Sequence, residues 1–224
     1  VHIPDGFLST PVWAAAGAVS AGAVGYSIRK LGRSLELESK QVPLMGVVGA
    51  FIFAAQMVNF PIAGGTSGHL VGAVLAMLLL GPHAAMLIMT SILIVQALLF
   101  QDGGITALGA NILNMGLVGS YVGYLLYRLL RGVLRGKRGS LVSAFVTAVV
   151  VVVLSAGLAA LEIALSGTIS LRVVLGAMVG VHALIGVGEG LVTAAAFAFL
   201  LRVRADLIYP ACRPALAEPA LQEG

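Results

Sequence analysis

The sequence predicts an all-α fold: a polytopic membrane bundle of about seven transmembrane helices, with the N-terminus outside and the C-terminus cytoplasmic. Three observations carry this expectation. Hydrophobic residues make up 59% of the 224 positions and charged residues 10%, against about 25% charged in an ordinary soluble domain. Mean hydropathy is +1.05, and apolar runs of membrane-spanning length recur along the chain. Finally, Lys and Arg are confined almost wholly to alternate loops, which sets orientation.

The first span runs from Pro11 to Ile28, with Trp13 as an interface anchor. It is preceded only by His2 and Asp5, not by the positive stretch of a signal peptide, so the first helix is expected to be retained. The second span runs from Pro43 to about Val58. The Gly-rich stretch from Asn59 to Gly68 cannot be lipid-exposed helix. A third span opens at His69 and ends at Gly81-Pro82, too short to cross about 30 Å of hydrocarbon at 1.5 Å per residue. Either the helix begins earlier, within Gly64–Gly68, or it starts below the membrane surface and buries His69. Pro82 restarts the chain as a fourth span to about Phe100, and Gln101-Asp102-Gly103-Gly104 reads as a turn. The fifth, sixth and seventh spans run from about Thr106 to Tyr127, Leu141 to Leu165 and Leu171 to Leu201. The stretch after Arg202 reads as irregular. One domain over 1–205 is expected, with a distinctive peptide at 1–10 and a cytoplasmic tail at 206–224.

With seven spans, Arg29, Lys30, Arg33, Lys40, Arg128, Arg131, Arg135, Lys137, Arg138, Arg202, Arg204 and Arg213 all fall on one side, and only Arg172 on the other. The net charge of +4 therefore reads as topology, and no basic, aromatic-studded stretch suggests a nucleic-acid surface. The single cysteine, Cys212, excludes a disulfide framework and a zinc site of cysteine ligands.

The polar residues cluster toward the outer side, where each one is costly in an apolar chain. His2 stands next to residue 1. The terminal amine, the His2 amide nitrogen and ring Nδ1 could chelate Ni(II) or Cu(II) in a square plane, or the peptide could simply fray in solvent. His69 could supply a fourth nitrogen or face water at a helix start, with Thr66 or Ser67 capping that helix. Asn111 and Asn114 share a helix face, either as an interhelical hydrogen bond or as a polar shell around the N-terminal peptide. His182 and Glu189 also share a face, and each is expected to find a partner in the bundle. Gln56, Asn59, Gln96, Gln101 and Glu162 lie at or near span ends, and Asp102 could hold the N-terminal peptide. Gly46, Ala50 and Ala54 form a small-residue ladder suited to close helix contact.

Four blocks together resemble the CbiM/NikM family, the substrate-binding membrane components of energy-coupling-factor transporters for cobalt and nickel. They are His2-Ile3-Pro4-Asp5-Gly6-Phe7-Leu8, then Gly64-Gly65-Thr66-Ser67-Gly68-His69-Leu70-Val71-Gly72, then Gln96 through Asp102-Gly103-Gly104 to Asn111 and Asn114-Met115-Gly116, and last Gly186-Val187-Gly188-Glu189-Gly190. The resemblance implies that Val1, His2 and His69 ligate the metal. Around them it places Asp5, Ser67, Gln96, Asp102, Asn111, Asn114 and His182. Ni(II) or Co(II) would be the transported substrate, with no cofactor, serving nickel enzymes or cobalamin biosynthesis. The implied partners are membrane lipid, a transmembrane coupling subunit reached through Gly46, Ala50 and Ala54, cytoplasmic ATPases and a small accessory membrane subunit. The implied location is a bacterial or archaeal cell membrane. The chain has no Gly-x-x-x-x-Gly-Lys-[Ser/Thr] loop, so it is not expected to be an enzyme. The family begins with Met where this sequence has Val1, which a GTG start codon would explain.

Two rival readings stand beside this one. Gly65-Thr66-Ser67-Gly68 with His182 resembles the dyad of a rhomboid-type intramembrane serine protease. A stand-alone metal carrier is the other.

Overall fold

The computed structural model describes residues 1–35, 41–58, 60–62 and 66–214. Its elements follow the predicted spans closely. Helix α1 covers Thr10–Leu35 and α2 covers Gln41–Gln56; a two-stranded antiparallel hairpin, β1 Phe60–Ile62 and β2 Thr66–Gly68, follows. Helix α3 covers Ala73–Leu99. Helix α4, Leu108–Asn111, continues without a break into a π-wound stretch, Ile112–Val122, and then into α5, Gly123–Val133. Helices α6, Gly136–Leu165, and α7, Leu171–Val203, complete the bundle. Among the described residues, α3, α6 and α7 are long and apolar enough to cross a membrane. The protein is a multi-pass helical membrane protein.

The expected break at Gly81-Pro82 is present inside α3. Gly81 has φ 81° and ψ 170°, conformations open only to glycine, and Pro82 starts the following helical stretch. The first half of α3 therefore begins only at Ala73. It starts within the bundle, and His69, four residues earlier, is 1% exposed. Of the two alternatives for the short third span, the helix starts deep.

Helix α3 forms the centre of the bundle. Ala73, Val74, Ala76, Met77 and Leu78 are fully buried, as are Ala144, Ala148, Val151 and Val152 of α6. The outward faces keep large apolar side chains exposed, among them Val47, Phe51, Leu98, Leu129, Leu184 and Phe199. Such a belt needs no protein cover where the solvent is hydrocarbon. Gly46, Ala50 and Ala54 lie on the exposed face of α2. Gly46 and Ala50 line an open apolar groove between α2 and the second half of α3.

The stretch beyond α7 does not trail away irregularly as expected. Two 3-10 turns, Ala205–Leu207 and Pro210–Cys212, fold back onto the bundle. The Tyr209 amide donates to the Leu78 carbonyl at 3.0 Å, and the Tyr127 hydroxyl donates to the Cys212 carbonyl at 2.9 Å. The Tyr209 ring fills the space beside Gly81, where a β-carbon would lie 2.7 Å from it. Apolar Ile208 and Cys212 are what dock this segment, since both are buried.

Candidate metal centre

The N-terminal peptide is inside the protein. Val1 and Ile3 are 0% exposed and His2 is 2% exposed. Burying a peptide demands partners for its backbone, and Asn111 supplies two of them. Its Oδ1 accepts from the Ile3 amide at 2.8 Å, and its Nδ2 donates to the Ile3 carbonyl at 3.1 Å. The Gly104 amide donates to the same carbonyl at 2.9 Å.

Asp5 ties the peptide to the start of the α4 rod. One carboxylate oxygen accepts from the Thr106 amide and hydroxyl at 2.7 and 2.5 Å, the other from the Ile105 amide at 3.1 Å. The Thr106 hydroxyl, reinforced by those amides, holds the Asp5 carboxyl below its ordinary value. At the far end of the peptide the Thr168 hydroxyl donates to the Phe7 carbonyl at 2.6 Å. Gly104 has to be glycine here, because a β-carbon would lie 2.4 Å from the Asp5 amide nitrogen.

The ligand candidates come together around this peptide. The rings of His2 and His69 stack with centroids 4.6 Å apart and an interplanar angle of 25°. His69 Nδ1 donates to the Leu70 carbonyl at 2.7 Å, so its proton is on that nitrogen and Nε2 carries the lone pair. That Nε2 is buried without a hydrogen-bond partner. His2 Nδ1 lies 2.9 Å from Asp102 Oδ1. Its Nε2 meets Gln96 Oε1 at 3.1 Å.

Burial also prepares the groups electrically. Desolvation pushes the Val1 ammonium down to about 5, against the opposing pull of Asp102. It also lowers His2, and holds His69 well below its usual value with help from the neighbouring amine and His2. All three therefore favour the neutral form, in which nitrogen can donate a lone pair.

The predicted surroundings divide. Asp5 is part of the peptide and anchors it to Ile105 and Thr106, while Gln96, Asp102 and Asn111 touch the peptide directly. Asn114 does not join them: its Nδ2 donates to Glu162 Oε2 at 2.7 Å, and its carbonyl accepts from Ser155 at 2.6 Å. It fastens the π-wound stretch to α6. His182 Nδ1 donates to the Met178 carbonyl at 2.7 Å, and its buried Nε2 has no partner. Ser67 lies in β2, and its side chain falls outside the described residues.

Gln56, whose partners the sequence did not reveal, and Glu189, which finds the partner in the bundle expected of it, complete the surroundings. Gln56 links Gln96 to the Val71 carbonyl, with bonds of 2.8 and 2.6 Å. Glu189 accepts from the Val71 and Gly72 amides at 2.6 and 2.9 Å, closing the segment that follows His69. A glutamine at the end of an apolar span and a glutamate well inside one were the available signals.

A multi-pass bundle that buries Val1, His2 and Ile3 and stacks the His2 ring on His69 has the make-up of a membrane protein that handles transition-metal ions. Residues 2–207 match the model of the cobalt uptake substrate-specific transmembrane region. The chain belongs to this CbiM family. It is 38% identical over 237 residues to the fused nickel transport protein NikMN of Rhodobacter capsulatus, covering 99% of this chain and 68% of that protein. A relative from Archaeoglobus fulgidus, also named as a fused NikMN, is 43% identical over 216 residues, covering 96% of this chain and 70% of the relative. The crystal structure of a truncated transition metal transporter superposes with a TM-score of 0.83 at 35% identity, covering 90% of this chain and 99% of that one. A second transition metal transporter structure gives a TM-score of 0.84 at 34% identity, over 91% of this chain and 93% of its own. The protease reading finds no counterpart in these relatives.

Proposed function

We propose that the chain is the substrate-specific membrane component of an ATP-driven importer of the energy-coupling-factor type, with Ni(II) or Co(II) as its substrate. The metal is bound by the Val1 amine, the His2 amide nitrogen and Nδ1, and His69 Nε2. The observation that carries this reading is the pair of stacked, buried imidazoles close to a buried amine, with His69 Nε2 left without a hydrogen-bond partner. Leaving such a nitrogen dry and unpaired costs stability unless something occupies it. Four nitrogens in one plane suit low-spin Ni(II), while Co(II) accepts the same donors. The distribution of Lys and Arg places this site toward the outside of a seven-span chain. ATP hydrolysis is supplied by cytoplasmic partners, and the exposed Gly46, Ala50 and Ala54 face of α2 meets the transmembrane coupling subunit.

The test compares purified full-length protein with His2→Ala and with a version extended by a few residues before Val1. Ni(II) affinity is read by chelator competition and by the absorption of the square-planar complex, and fold by thermal melting. Both variants should lose the absorption band and most of the affinity while melting as the parent does. Full affinity in the extended protein would refute the chelate. The reading also requires a free amine on residue 1, which the intact mass of protein isolated from cells measures.

A further inference from the structure

We propose that Gln56 and Gln96 form an amide relay that fixes the ring tautomer of His2, keeping the proton on Nε2 and leaving Nδ1 for the metal. This rests on the reading that Nδ1 is a donor to the metal. The argument follows hydrogen-bond polarity from a group with only one choice. The Val71 carbonyl can only accept, so Gln56 must present its Nε2, at 2.6 Å. Gln56 Oε1 is then turned the other way and accepts from Gln96 Nε2 at 2.8 Å. That leaves Gln96 Oε1 facing His2 Nε2 at 3.1 Å. An oxygen cannot donate, so Nε2 must carry the hydrogen, and a neutral imidazole has only one.

Burial prevents the relay from reversing. Gln56 and Gln96 are both 0% exposed, so no bulk water stands ready to satisfy a turned amide. Turning both would set Gln56 Oε1 against the Val71 carbonyl, two acceptors in contact in a dry interior. The anchor itself is locked, because Glu189 accepts from the Val71 and Gly72 amides. One series of hydrogen bonds thus runs from α7 through the segment after His69, across α2 and α3, to His2. It registers both imidazoles at once.

The relay works against a competing pull. Asp102 Oδ1 lies 2.9 Å from Nδ1 and would attract the proton there. With Nε2 already the N–H, Nδ1 of the neutral ring carries the lone pair that a metal ion takes up. Asp102 then faces the bound cation as its counter-charge. Gln56 and Gln96 are therefore positioning residues, acting on the metal through the ring of His2.

The test is the tautomer itself. Full-length protein with 15N-labelled histidine, metal-free and at a pH where imidazole is neutral, gives long-range 1H–15N correlations that distinguish the two N–H forms. His2→Gln assigns the His2 signals among the 4 histidines. The parent should show the Nε2–H form. Gln96→Met should switch His2 to Nδ1–H, since Asp102 becomes the remaining acceptor, and should weaken Ni(II) binding by roughly 10–100-fold. Gln96→Glu, which keeps an oxygen toward Nε2, should keep the parent tautomer. An Nδ1–H form in the parent, or an unchanged tautomer in Gln96→Met, would overturn the relay. A switched tautomer with unchanged Ni(II) affinity would support the relay and overturn Nδ1 as a donor.

Discussion

Replacing Asn111 with alanine should undock the N-terminal peptide without unfolding the bundle. Asn111 grips Ile3 at both ends, through Oδ1 to the amide and Nδ2 to the carbonyl. Ile3 is fully buried, so the truncation leaves its N–H dry and unsatisfied, a cost of about 1–3 kcal/mol, and removes one further hydrogen bond of about 1 kcal/mol. The carbonyl is still met by Gly104, so nothing more is lost there. The sum, about 2–4 kcal/mol, corresponds to a roughly 30- to 700-fold loss of Ni(II) affinity at 1.4 kcal/mol per tenfold. That is the ceiling, reached when the undocked peptide dominates the metal-free variant. Chelator competition on purified full-length protein measures the affinity, and hydrogen exchange of the Ile3 amide measures docking. The melting transition should move little, because the core of α3 and α6 is untouched. Affinity within twofold of the parent, with the Ile3 amide still protected, would show that this contact does not hold the site and would refute the reasoning.

Three other outcomes follow from the same geometry. Gly104→Ala places a β-carbon 2.4 Å from the Asp5 amide nitrogen, so the peptide must move, and Ni(II) binding should fall by at least tenfold in the same competition assay. Asn114→Leu removes the bond to Glu162 at the junction with α6; it should lower the melting temperature at a cost of roughly 1–3 kcal/mol and leave Ni(II) affinity within about threefold. Gly46→Leu fills the exposed face of α2 and should leave metal binding unchanged in detergent, while reducing ATP-driven uptake in cells that carry the partner subunits; normal uptake would remove that face from the coupling interface.

Much of the fold was legible in the sequence because partition into a bilayer is a local property. Each run of apolar residues declares its own helix, whatever its neighbours do, and the observed helix ends fall within a few residues of most predicted ones. The break at Gly81-Pro82 was legible for the same reason: glycine and proline act on their own backbone. The site was legible in part. His2, His69, Asp5, Gln96, Asp102 and Asn111 could be singled out because polar side chains are conspicuous in an apolar chain.

Which of those polar groups meet was decided by the tertiary structure alone. Asn111 and Asn114 share a face of an α-helix, yet only Asn111 reaches Ile3. The rod changes from α to the wider π winding right after Asn111, and the changed turn carries Asn114 toward Glu162. Gln56 and Gln96 stand 40 positions apart, and Gln96 and His2 94 apart, so no local pattern signals their contact. Their roles depend on which atom of each amide faces which neighbour. That polarity follows from the Val71 carbonyl, a backbone group that carries no signature in the sequence. The sequence by itself determined that a peptide with His2, Pro4 and Asp5 precedes the first helix of a membrane bundle. Folding decided that the peptide is buried, and that Nε2 of His2 faces Gln96.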